Sequence, residues 1–301
     1  MFPRLLNVRR FLIPVLCVAY IFGQSTPTFA AGCTQVLKSA SCQNGLPTDQ
    51  YQQLLGVMAA NPSPNGHPLA VNSDEIRKYS ATSGPEPHWA SSFTGLLLDG
   101  LPPLPMGWML RSIRPLTTPG GVPDVKSERI ARHTPVYIYT SLKVAGVEWY
   151  LIGPAQWVVA SVVGRVNPAS HPAGVGGKWV AVDIAEQTLT VYENNRLVFA
   201  TLISSGLPPR ITRQGLTPVY LRQEVGDMSS LMGGSDPYHI YDVPWIMYFN
   251  SGMALHAATW HDNFGYPMSH GCVNMSITDA HWLFDWTRDA PNFPVLVWHS
   301  R

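Results

Sequence analysis

Trp179-Val-Ala-Val-Asp-Ile184, Thr188-Leu-Thr-Val-Tyr192 and Leu197-Val-Phe-Ala-Thr-Leu-Ile203 are three apolar-rich runs separated by Glu186-Gln187 and Asn194-Asn195. β-Branched and aromatic residues in the runs, with turn residues between them, predict an antiparallel meander. Asn194-Asn195 is a tight-hairpin signal, since asparagine tolerates the positive φ that two-residue turns demand. Downstream, Ser276-Ile-Thr-Asp279 is a variant capping box, with Asp in place of Glu or Gln. It opens a helix that places Ile277, Ala280, Leu283 and Phe284 on one face. Asn292-Phe-Pro-Val-Leu-Val-Trp298 closes the chain as a strand.

Upstream of the meander, Asn167 to Gly177 reads as a linker. Trp108 to Pro115, Val136 to Tyr139, Val147 to Ile152, and Trp157 through Val166 read as short strands. Gly/Pro turns such as Thr117-Thr-Pro-Gly-Gly-Val-Pro123 lie among them. That pattern suggests a small barrel. Farther upstream, Tyr51 to Ala60 reads as one short helix and Asn61 to Pro68 as a loop. Residues 31–104 show no chemistry.

The 301 residues are enough for about two domains. Charged residues make up 13%, about half the usual quarter. With a net charge of +1 and no Lys/Arg run beyond the N-terminus, the chain has no nucleic-acid footprint. No apolar run reaches the ~20 residues that span a bilayer, which excludes a polytopic membrane protein. Arg4, Arg9 and Arg10, then apolar Phe11 to Phe22, then Phe29-Ala30-Ala31 read as an export signal over residues 1–30. A short uncleaved anchor is the other reading. Export places the protein in the periplasm, cell envelope or cell wall. Cys17 lies in the signal. Cys33 and Cys42 could close a small disulfide loop, or Cys33 could be a lipidated N-terminus; both readings stay open. Cys272 is left without an obvious partner, a candidate reactive thiol.

Leu255-His256-Ala-Ala-Thr-Trp-His261-Asp-Asn-Phe-Gly-Tyr-Pro-Met-Ser269-His270-Gly271-Cys272-Val273-Asn274 gathers three histidines and that cysteine within seventeen positions. A free thiol with a pKa of ~8.5 is mostly protonated at neutral pH, so a cysteine nucleophile needs a base. His256, ending an apolar run, could face Cys272 from a strand. Gly271 lets the backbone turn before the thiol, leaving the amides near Gly271 and Cys272 to point at a developing oxyanion. The helix after Ser276 adds a positive dipole end nearby.

His256, twelve residues, then Ser269-His270-Gly271-Cys272-Val273-Asn274 resembles the signature of the YkuD-type L,D-transpeptidases. The likeness runs from about Lys178 to the C-terminus and includes the meander and the Ser204-Ser205-Gly206 turn. Thr212-Arg213-Gln214-Gly215 departs from the Thr-Pro-x-Gly of that family. Glu148-Trp149-Tyr150 and Gly153-Pro154-Ala155-Gln156-Trp157 resemble a bacterial SH3-type module. The implied organisation is a signal peptide (1–30), an N-terminal region without assigned role (31–104), an SH3-like β module (105–167), a linker (168–177) and a catalytic domain (178–301). The implied fold class is mostly β: a YkuD-like β-sandwich or barrel with a short helix after the cysteine, preceded by a small SH3-like β-barrel.

The resemblance implies Cys272 as nucleophile, His256 as general base and acid, the Ala257 carbonyl as the group orienting His256, and Gly271 as oxyanion backbone. Ser269, His270 and Asn274 would shape the site. From the residues themselves, His261 reads as a loop residue shaping the substrate mouth and Tyr241 as lining the pocket. The implied donor and acceptor are peptidoglycan stem peptides, the product a third-to-third-residue cross-link, and carbapenems the inhibitors. No metal or organic cofactor is called for. A zinc site is disfavoured because there is no HExxH and no second nearby cysteine. A glycosidase is disfavoured because no carboxylate pair stands out. An L,D-carboxypeptidase, or a catalytically silent wall-binding protein, is the alternative.

Overall fold

The computed structural model describes residues 42–64, 67–68, 94–123, 125, 127–229 and 238–301. The export signal and Cys33 lie outside them. Cys42 is disulfide-bonded, a state that oxidising compartments sustain. No helix among the described residues is long and apolar enough to cross a membrane.

The described chain opens with strands β1 (Cys42–Gln43) and β2 (Leu46–Pro47) and helix α1 (Thr48–Ala60), followed by β3 (His67–Pro68) and β4 (Leu96–Leu97). Next come β5 (Met106–Met109), β6 (Pro135–Tyr137), β7 (Thr140–Val144), β8 (Val147–Gly153), β9 (Gln156–Val159) and β10 (Val163–Arg165). The last part holds β11 (Lys178–Asp183), β12 (Thr188–Glu193), β13 (Arg196–Leu202), β14 (Gly215–Pro218) and β15 (Leu221–Ser229). It ends with β16 (His239–Asn250), β17 (Met253–Ala257), β18 (Val273–Met275), helix α2 (Ile277–Trp286) and β19 (Pro294–Trp298).

The meander forms as read: β11, β12 and β13 pair antiparallel, and Asn194 takes a φ of 54° in the two-residue turn. These strands sit inside a seven-stranded sheet of order β14-β19-β11-β12-β13-β4-β3. Two of its strands, β4 and β3, come from residues to which the sequence assigned no role. A four-stranded sheet, β15-β16-β17-β18, faces it. Helix α2 buries Ile277, Ala280, Leu283 and Phe284, the predicted face. They join Val180, Val182, Leu189 and Val191 of one sheet and Met247, Leu255, Val273 and Met275 of the other in a single core. Ser276 caps the helix by accepting the Asp279 N–H at 3.1 Å. The Asp279 carboxylate bonds the Ser276 side chain and also reaches across, accepting from Thr201 Oγ1 at 2.7 Å and from the Gly95 N–H at 3.2 Å.

The expected closure is corrected. The protein is mostly β, but each sheet among the described residues is open, and the strands at the two ends of a sheet do not pair with each other. In the C-terminal part, the apolar side chains of α2 fill the core, so the sheets need not curl shut to bury their faces. In the middle part, a helical turn at Ala160–Val162 breaks the run after β9, and β10 then pairs with β5 instead of extending β7-β8-β9. Two three-stranded sheets result, β10-β5-β6 and β7-β8-β9, not an SH3-like barrel. The strand read at Trp108 to Pro115 is shorter in the structure, ending at Met109. The sequence reading passed over β14, β15 and most of β16. β14 and β15 mix polar and apolar residues on largely exposed surface, and β16 joins an exposed start to a buried run, so their periodicity is weak.

Residues 166–177 carry neither helix nor strand but lie against the sheet: the Ala169 N–H donates to the Tyr192 hydroxyl at 2.9 Å, and His171 meets the Trp179 ring edge-on. A second core joins α1, β5, β6, β8 and β9 to Ala200, Leu202, Ala258 and Phe264 of the C-terminal part.

Candidate active site

Alternation along two neighbouring strands decides which groups meet. β17 and β18 run parallel, with Leu255 opposite Val273 and His256 opposite Asn274. Leu255, Ala257, Val273 and Met275 all point into the main core. Successive side chains of a strand point to opposite faces, so Ala254, His256, Cys272 and Asn274 share the other face. The thiol bonds to the backbone of Ala254. His256 and Cys272 are therefore diagonal neighbours on one sheet surface.

His256 is 3% exposed, and its Nδ1 lies 2.9 Å from the Ala257 carbonyl oxygen. A carbonyl can only accept, so Nδ1 carries the proton and Nε2 is left as the basic nitrogen. Burial lowers the imidazole pKa to about 4, which keeps the ring neutral at physiological pH. Cys272, 9% exposed, is pushed up to about 11 by the same cause. The resting pair is thus thiol and neutral imidazole.

The turn before the thiol is cross-braced. Ser269 Oγ donates to the Cys272 carbonyl at 2.5 Å and accepts the Gly271 N–H at 3.1 Å. At rest the Gly271 amide therefore points at Ser269. Gly271 has a φ of 122°, a conformation that suits glycine. Thr212, buried in the loop that departs from the family string, donates its hydroxyl to the Gly271 carbonyl and accepts the Gly206 N–H, both at 2.9 Å. At Gly206 the backbone comes so close that a Cβ would lie 2.1 Å from the Arg210 carbonyl oxygen and 2.8 Å from the Gly271 Cα.

His261 is buried beside the site, with burial lowering its pKa to about 4. Its Nδ1 accepts the Asn263 N–H at 3.1 Å, and its Nε2 is 2.9 Å from the Asn274 side-chain amide. With Nδ1 accepting, the neutral ring must carry its proton on Nε2, and the amide oxygen is the end that can receive it. That orientation also gives Asn274 Oδ1 a partner, which it otherwise lacks among the described residues. Both nitrogens of His261 are then committed to structure. His270, by contrast, is exposed and tilts against the Tyr238 ring at 4.7 Å.

Tyr241 does not reach this face. It is 68% exposed and packs on His239. Tyr238 and Tyr248 pack around the thiol instead, together with Ile240, Val243, Ile246 and Trp260. Burial and the neighbouring Cys272 raise the pKa of both tyrosines. Sequence reasoning counted Tyr238 and Tyr248 as core aromatics and chose Tyr241, because β16 is irregular: Asp242 and Trp245 have positive φ, and each shifts the alternation by one. Ile240, Val243, Ile246 and Tyr248 end on one face, while Trp245, Met247 and Phe249 join the core on the other. No group of three or more His, Cys, Asp or Glu that could hold a metal ion occurs among the described residues.

Residues 177–297 match the family described as YkuD, the L,D-transpeptidase catalytic domain. YciB of Bacillus subtilis strain 168, whose name assigns it provisionally to the L,D-transpeptidases, is 27% identical over 121 residues. That alignment takes in 36% of this chain and 59% of YciB, so the chain spans less than two thirds of this relative. Among solved structures, the L,D-transpeptidase LdtMt1 in complex with imipenem is 26% identical, with a TM-score of 0.37 over 40% of this chain and 59% of that one. An L,D-transpeptidase from Mycobacterium smegmatis is 21% identical, with a TM-score of 0.37 over 50% of this chain and 66% of that one.

Proposed function

With the L,D-transpeptidase catalytic-domain match over residues 177–297 as premise, we propose that this chain is an exported enzyme that cross-links peptidoglycan stem peptides through Cys272. The observation that carries the reading is the shared sheet face of Cys272 and His256, with Nδ1 of His256 tied to the Ala257 carbonyl. This hydrogen bond does for the imidazole what the aspartate of a serine triad does: it fixes the tautomer and steadies the ring as it gains charge.

The reaction opens on a tetrapeptide stem. As the substrate covers the site, the Cys272 proton passes to Nε2 of His256, and sulfur attacks the carbonyl of the third residue. Because the resting thiol and imidazole are both neutral, this transfer accompanies attack and does not precede it. Backbone amides at Gly271 and Cys272 would receive the oxyanion, which requires the Gly271 N–H to swing from Ser269 Oγ or be shared with it. The C–N bond breaks, His256 returns the proton to the departing D-Ala amine, and a thioester remains. The side-chain amine of a second stem then attacks the thioester, His256 takes its proton, and the thiol is released with the new amide formed. All bonds and protons balance without a cofactor. Ser269 and Asn274 hold the turn, and His270 and Tyr238 flank its exposed side. A carbapenem would acylate Cys272 by the same first step.

In this reading, residues 1–30 are the export signal, 105–167 a β module, 168–177 the linker and 178–301 the catalytic unit. The test is mass spectrometry of the chain with a disaccharide-tetrapeptide, alongside Cys272→Ala. A dimer lacking one D-Ala, absent with the variant, supports cross-linking. D-Ala release without dimer replaces it with a carboxypeptidase. No change in mass leaves a wall-binding protein.

A further inference from the structure

Arg132 and His133 belong to the β module, over 120 residues before the thiol in sequence, yet they grip the loop that joins base to nucleophile. Arg132 donates through Nη2 to the Asp262 carbonyl oxygen and through Nη1 to the Asp262 carboxylate at 3.4 Å. Its Nε donates to His133 Nε2 at 2.9 Å. His133 bonds in turn to the backbone of Phe264. Two adjacent residues thereby hold positions 262 and 264.

The loop is pressed from the same side elsewhere. A Cβ at Gly265 would lie 2.3 Å from Leu110 Cδ2, and Phe264 is buried in the core that includes Trp108 and Tyr137. On its inner side, Asn263 fixes His261 and His261 meets Asn274, while the backbone of Asn274 exchanges two 2.9 Å hydrogen bonds with Ser204. Asn274 is two residues from Cys272 on the shared face. Polar contacts and short stretches of backbone thus lead from the β module to Asn274, two residues from the thiol.

We propose that Arg132, with His133, is a positioning residue for the Cys272 site: the β module completes the active site by holding loop 260–264, and through His261 and Asn274 it sets the turn that carries the thiol. This rests on the reading of Cys272 and His256 given above. Arg132 suits the role because one planar guanidinium satisfies a carbonyl, a carboxylate and an imidazole together. A lysine has a single ammonium and can keep only part of that set.

The test compares the full chain with Arg132→Ala and Arg132→Lys. The first readout is steady-state kinetics on the tetrapeptide; the second is amide hydrogen exchange along the chain, which needs no activity. Positioning predicts that Arg132→Ala lowers kcat about tenfold or more with KM within about twofold, since a small misplacement of reacting groups acts on the chemical step. It also predicts exchange faster by about tenfold at 260–264 and 271–274 but unchanged in β11 to β13, with Arg132→Lys recovering part of both losses. An Arg132→Ala chain with kcat and local exchange within twofold of the parent overturns the proposal. So does exchange that rises evenly throughout, which would make Arg132 a general stabiliser. Should the parent itself fail to turn over tetrapeptide, the functional reading falls, and the local exchange pattern by itself upholds or overturns the brace.

Discussion

Gly206→Ala is a one-carbon change with a calculable consequence. The new Cβ would lie 2.1 Å from the Arg210 carbonyl oxygen, 2.8 Å from the Gly271 Cα and 2.9 Å from the Gly271 nitrogen. Ordinary contact begins near 3.4 Å, so the oxygen must recede by about 1.3 Å, and the Gly271 atoms by about half that. All three are backbone, and no flexible side chain can absorb the movement. The backbone conformation of Gly206 is one that alanine can adopt, so the cost is steric. Overpacking of this kind costs about 1–3 kcal/mol in stability. The functional cost is larger, because a displacement of about 1 Å at a catalytic turn lowers turnover about 100-fold. The assay is steady-state kinetics on the disaccharide-tetrapeptide beside a thermal melt, with Gly176→Ala as control, since a Cβ there meets nothing within 4 Å. A Gly206→Ala chain that melts cooperatively and keeps turnover within twofold would refute the idea that the 204–206 loop sets the position of the nucleophile turn.

Three further outcomes follow from the site. With burial pushing Cys272 up to about 11, the thiolate fraction at pH 7 is more than about 100-fold smaller than for an ordinary thiol; iodoacetamide alkylation should climb about tenfold per pH unit from 7 to 10, and a rate plateau between pH 5 and 8 would reveal a pre-formed ion pair instead. His256→Ala should lower turnover by about 100-fold or more, the share of a general base, while His270→Ala costs far less; the reverse order, read from single-turnover kinetics, would reassign the base. His133, His256 and His261 are each held near 4 by burial. The unfolded chain then takes up protons below about 6.5 that the folded chain refuses, so stability present above pH 6.5 is lost toward pH 4, at up to about 1.4 kcal/mol per pH unit for each histidine. Asp279, whose carboxyl pKa burial raises, works in the opposite sense and offsets at most one of these protons. Urea midpoints at pH 7.5, 5.5 and 4.5 check the slope, and a flat profile would refute it.

Local chemistry is legible in the sequence. The meander, the Asn194-Asn195 turn and the apolar face of α2 follow from alternation, turn residues and a 3.6-residue period, each of which depends on near neighbours in sequence. Cys272 and His256 stood out as a candidate thiol and base because a thiol needs a proton acceptor, and the resemblance pointed to His256 among the histidines of the segment. Tyr241 was the wrong tyrosine to bring to the pocket, since positive φ at Asp242 and Trp245 re-aims the side chains of β16 and leaves no mark in residue type.

The sequence by itself determined the mostly β character, the candidate thiol and imidazole and the helix that follows them, because these rest on periodicity and on the chemistry of single side chains. The tertiary structure alone decided that the sheets stay open, that Leu96–Leu97 and His67–Pro68 extend the large sheet and that Arg132 reaches Asp262. It also decided that the Asp279 carboxyl reaches beyond its own helix to Thr201 and Gly95. Each of these joins groups far apart along the chain. A hydrogen-bond donor looks the same in sequence whichever acceptor it finds, and only packing selects among them.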